Sequence, residues 1–68
     1  MPYVNIKITR EAPVTAEQKA KLIKGVTDLI KETIGRGPST TVVVIEEVDP
    51  DGYGIGGESV TARRKRGA

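Results

Sequence analysis

The chain has 68 residues, no cysteine or histidine, 3% aromatic residues, and a formal net charge of +2 from 11 Lys and Arg against 9 Asp and Glu. That length permits one domain with a marginal core of its own, and the missing Cys and His remove disulfides, thiolate metal sites and the commonest general base. No run approaches the ~18 apolar residues of a membrane span and no leader peptide is evident, so the expectation is a cytoplasmic protein that gains stability by oligomerising.

Pro2 follows an initiator methionine, a pair from which Met1 is commonly trimmed. Trimming would leave a secondary amine at the head of a strand, where an α-amino group with a reference pKa of about 7.7–8.0 can carry protons near neutral pH. Val4, Ile6 and Ile8 alternate with Asn5, Lys7 and Thr9, which predicts a half-buried strand over residues 3–9. Arg10-Glu11-Ala12-Pro13-Val14 breaks the alternation, and Pro13 removes a backbone donor.

Thr15 and Gln18 have capping-box spacing, which starts a helix spanning residues 16–34. Ala20, Leu22, Ile23, Val26, Leu29, Ile30 and Ile34 recur at helical steps, with Lys19, Lys21, Lys24, Asp28, Lys31 and Glu32 opposite. Gly25 interrupts this helix, a cost best explained by close packing against a strand. Gly35, Gly37 and Pro38 close it.

The β-branched run within residues 40–48 predicts a second strand buried on both faces, and two strands joined by a helix make a right-handed parallel β-α-β unit. Asp49-Pro50-Asp51-Gly52 is a turn, and the glycines at 54, 56 and 57 shape a C-terminal hairpin over residues 52–62, with 59–62 as a short edge strand. Residues 63–68 read as a basic tail whose Arg63 and Arg64 suit interchain ion pairs, with the alternative that in an oligomer one of them lines a neighbour's pocket; with no accompanying reading surface, nucleic acid is not an expected partner. The fold class is α/β (α+β): one β-α-β protomer with a C-terminal hairpin, whose exposed apolar surface calls for a sheet completed in a dimer and a larger symmetric assembly.

Pro2 at the head of a strand, the capped helix opening Ala16-Glu17-Gln18-Lys19, the strand Val43-Val44-Ile45-Glu46-Glu47 and the segment Tyr53-Gly54-Ile55-Gly56-Gly57-Glu58 together resemble the small subunits of the 4-oxalocrotonate tautomerase family. The resemblance covers almost the whole chain. It implies three dimers in a homohexamer and no metal or cofactor. It also implies keto-enol tautomerisation of small 2-hydroxydienoate or 2-oxo acids, with Pro2 as general base after Met1 is removed. Superfamily relatives with dehalogenase, hydratase or decarboxylase chemistry and a non-catalytic oligomeric scaffold are the alternatives.

Tyr53 takes the place of the family's pocket-lining phenylalanine or tryptophan and adds a hydroxyl. The family's two substrate-binding arginines fall near Val14 and on Val42 or Val43, so neither is present. The loop before the helix is slightly longer than the family's, which makes Arg10 the candidate to reach the same space and Tyr53 its neighbour in binding a small carboxylate substrate.

Overall fold

The computed structural model describes residues 1–67 as strand β1 (Tyr3–Thr9), helix α1 (Ala16–Ile34), strand β2 (Val42–Val48), a two-strand hairpin of β3 (Gly54–Ile55) and β4 (Glu58–Ser59), and a short helix α2 (Val60–Lys65). β1 and β2 pair in parallel, with Tyr3 opposite Val42, Ile6 opposite Ile45 and Thr9 opposite Val48. Parallel pairing requires a crossover, and α1 supplies it.

Helix α1 forms where its caps are strongest. The Gln18 amide donates to Thr15 Oγ1 at 3.1 Å and the Thr15 amide to Gln18 Oε1 at 2.9 Å, a reciprocal capping box. At the other end Gly35, with φ of 72°, takes the left-handed conformation and its amide donates to Lys31 O at 2.9 Å. Lys19 does not join the solvated face that its helical position suggested; its ammonium meets Glu47 of β2 at 3.1 Å, tying helix to sheet. Gly25 has no atom within 4 Å of the position a Cβ would take. It packs against no strand, and instead lines an open apolar groove of about 680 Å³ with Leu22, Val26 and Leu29.

β2 begins later than the sequence suggested. Pro38–Thr40 forms a 3₁₀ turn, and the hydroxyls of Thr40 and Thr41 both donate to Gly37 O at 3.2 Å. These threonines satisfy a local turn in place of a sheet ladder.

After β2, Asp49 Oδ1 accepts the Asp51 amide at 2.9 Å and Pro50–Gly52 completes a second 3₁₀ turn. Gly56 and Gly57, with φ of 61° and 89°, make the tight hairpin that follows. The hairpin is shorter than residues 52–62, and 60–65 are neither edge strand nor tail. Ser59 Oγ accepts the Ala62 amide at 3.1 Å and caps α2 there, and Ala62, Arg63, Arg64 and Lys65 are good helix formers. Residue 68, the end of the expected tail, lies outside the described residues.

The chain is a thin plate. Its extents are 45 × 25 × 15 Å and its radius of gyration is 15.3 Å, against about 11 Å for a compact globule of this length. Val60, 8% exposed, is the buried hydrophobic residue among those described. Tyr3 (66% exposed) and Leu29 (61% exposed), together with Ile34 and Ile55, face solvent. Such apolar exposure marks surface meant for burial. No helix among the described residues is long and apolar enough to cross a membrane.

Candidate active site

Pro2 sits at the head of the parallel pair. Its carbonyl accepts the Val42 amide at 2.9 Å, immediately before the Tyr3 and Val42 pairing, so the ladder fixes the proline backbone. The residue is half-buried, whereas Met1 is 90% exposed. Met1 can therefore leave without disturbing any packing.

A second candidate feature lies at the far end of β1. A groove of about 670 Å³ there is lined by Lys7, Thr9, Glu11, Tyr53, Ile55 and Arg64, among others. Tyr53 enters it half-buried, held by two backbone contacts: its amide donates to Pro50 O at 3.5 Å and its carbonyl accepts from Val60 N at 2.8 Å. Lys7 projects from the polar face of β1. Arg64 reaches the groove from α2, one helical turn beyond Val60, and pairs with Glu11 of the loop before α1. Val14, the neutral residue near one of the resembled family's arginine positions, is part of the same wall.

Arg10 does not line this groove among the described residues. Its amide donates to Val48 O at 2.7 Å and its guanidinium to Glu47 O at 3.3 Å, which directs it onto the end of β2. Two of the sequence's candidates, Pro2 and Tyr53, are also far apart within one chain. β1 is seven residues long, and at about 3.3 Å per residue its ends stand about 20 Å apart. Sequence reasoning missed Lys7 and Glu11 as groove residues and offered Arg63 or Arg64 only for a neighbouring copy's pocket, whereas Arg64 lines a groove of its own chain. The signal for Arg64 was available in its helical spacing from Val60, but reading 60–62 as strand concealed it.

Electrostatically the groove holds two cations, Lys7 and Arg64, against one carboxylate, Glu11. Within the chain, Arg64 pairs with Glu11. Beside the groove, Arg66 Nε donates to both carboxylate oxygens of Glu58 at 2.9 and 3.1 Å, pinning α2 to β4. The Arg66 guanidinium holds the Glu58 carboxyl below the usual carboxylate range. No cluster of three His, Cys, Asp or Glu side chains is placed to hold a metal ion among the described residues.

Residues 2–63 match the family model described as tautomerase enzyme. The chain belongs to the tautomerase family. Tautomerases are enzymes of the isomerase class. The chain is 61% identical over 66 residues to a probable tautomerase, K2, of Dickeya dadantii, covering 97% of each chain. It is 39% identical over 61 residues to a 2-hydroxymuconate tautomerase of Bacillus subtilis, covering 90% of this chain and 95% of the relative. The crystal structure of DmpI from Helicobacter pylori superposes with a TM-score of 0.84 at 43% identity, covering 94% of this chain and 97% of that one. The tautomerase fold and the family read from Pro2, the capped helix and Tyr53-Gly54-Ile55-Gly56-Gly57-Glu58 are thereby borne out.

Proposed function

We propose that this tautomerase interconverts the enol and keto forms of a small 2-hydroxydienoate or 2-oxo acid in the cytoplasm, with Pro2, exposed by removal of Met1, as general base and with no cofactor. The observation that carries the reading is the hydrogen bond from Val42 N to Pro2 O at 2.9 Å, which fixes the residue bearing the amine. The amine would take the enol hydroxyl proton as the C–O bond becomes C=O. The displaced electron pair shifts along the diene, and the resulting prolinium returns the proton to carbon, so atoms and charge balance. A low-dielectric surrounding and nearby cations both disfavour the protonated amine and keep it available as a base near neutral pH.

The groove supplies the rest of the reaction's needs. Tyr53 offers a hydroxyl donor for the developing enolate oxygen, and a cation at the rim offers a partner for the substrate carboxylate. Because Pro2 and the groove stand at opposite ends of β1, we place the complete site between two copies. β1 pairs with β2 along one edge and leaves the other open. Antiparallel pairing of two β1 edges would set Pro2 of one copy against the Thr9 end of the other. The single buried hydrophobic residue among those described and the plate-like shape support burial against further copies, which we assign to a homohexamer of three dimers.

The test is Pro2→Ala in a chain verified to lack Met1. Alanine retains a primary amine in the same place, so the expected loss of enol-to-keto turnover is about 100-fold, the lower end of general-base effects. Unchanged turnover would eliminate the proposed role.

A further inference from the structure

We propose that Arg64, held at the groove rim by Glu11, anchors the substrate carboxylate, and that Glu11 restricts the ligand to one carboxylate. The inference rests on the reading of the groove as a binding site for a small oxo acid.

Three observations lead to it. Arg10 is engaged by the Glu47 carbonyl, and Val14 in the groove wall is neutral, so neither supplies a cation there. Of the two cations that line the groove, Arg64 carries a planar fork that matches a carboxylate in two parallel hydrogen bonds, whereas Lys7 is a point charge on a flexible stem. Glu11 meets that fork through one contact, Nη2 to Oε1, which holds the guanidinium at the rim and leaves its other donors free of Glu11.

The exchange is cheap because both side chains are half-exposed, and exposed ion pairs are weak. An incoming carboxylate takes over Arg64 donors and leaves Glu11 beside it, still negative. With one ligand carboxylate on Arg64, the groove's two cations, Lys7 and Arg64, are balanced by Glu11 and the ligand, while a second ligand carboxylate adds a negative charge in excess, as a like charge to Glu11. Glu11 thus acts as a charge filter on the substrate.

Pyruvate and 2-oxoglutarate serve as probes with one and two carboxylates. Binding is read without turnover, from the Arg64 Nε–H resonance and competition titrations, in the assembled chain. The expected results are tighter binding of pyruvate than of 2-oxoglutarate and at least a ten-fold loss of pyruvate affinity in Arg64→Ala, with partial recovery in Arg64→Lys. In Glu11→Gln, 2-oxoglutarate should bind at least ten-fold tighter while pyruvate changes less than three-fold. With enol substrates, Arg64→Ala should raise KM more than it lowers kcat. Unchanged pyruvate affinity in Arg64→Ala with native circular dichroism, or equal response of both probes to Glu11→Gln, overturns the inference. Either result leaves Pro2 as base untouched, whereas loss of the Pro2 role leaves these binding results standing.

Discussion

The Tyr53 carbonyl accepts the Val60 amide at 2.8 Å, so the groove's tyrosine and the buried first residue of α2 are locked to each other. This contact couples the folding of the C-terminal segment to the position of the tyrosine ring. Val60→Ala removes two methyl groups from a buried position and is expected to cost about 1–2 kcal/mol. Denaturant unfolding should show that loss, accompanied by weaker ligand binding as Tyr53 loosens; a stability change within about 0.5 kcal/mol would mean that Val60 is no anchor.

Leu29 and Leu22 flank the apolar groove along α1, and Leu29 is 61% exposed. A charge placed there should disfavour burial of the helix against a second copy. Light scattering should give a multiple of the chain mass for the parent and a smaller species for Leu29→Glu. An unchanged assembly in that variant would place the contact elsewhere.

Much of this architecture was legible in the sequence because its signals are local. Thr15 with Gln18 and Gly35 with Lys31 bracket α1 through hydrogen bonds made within a few residues, and the alternation of Val4, Ile6 and Ile8 needs only the pleat of a strand. The β2 boundary was misread because the hydroxyls of Thr40 and Thr41 found a partner in Gly37 O, a choice that β-propensity does not encode. α2 was misread for a similar reason, since Val60 and Thr61 favour strands while the Ser59 cap and the residues after Ala62 decide for helix. Consequently Pro2 and Tyr53 stood out as candidates from their setting, but the pairing of Arg64 with Glu11 did not, being made across 53 residues of chain.

The Glu58 and Arg66 pair gives the C-terminal segment a pH response. The Glu58 pKa is depressed in the folded chain, so its contribution to stability is present above the unfolded value of about 4.3 and is lost as pH falls through the lower folded value. Thermal midpoints measured from about pH 5 to about pH 3 should fall more steeply for the parent than for Glu58→Gln. Parallel curves would show that this pair does not contribute to acid sensitivity.

The central claim concerns the ring nitrogen of Pro2, which is a secondary amine only when nothing precedes it; with Met1 attached it is an amide whose lone pair is delocalised. The most direct measurement compares enol-to-keto turnover by two chemically synthesised chains, one beginning at Met1 and one at Pro2, after both are shown to reach the same assembled state. The expected result is activity in the chain beginning at Pro2 and a loss of about 10²–10⁴-fold in the chain that keeps Met1. Equal turnover by the two would contradict the account.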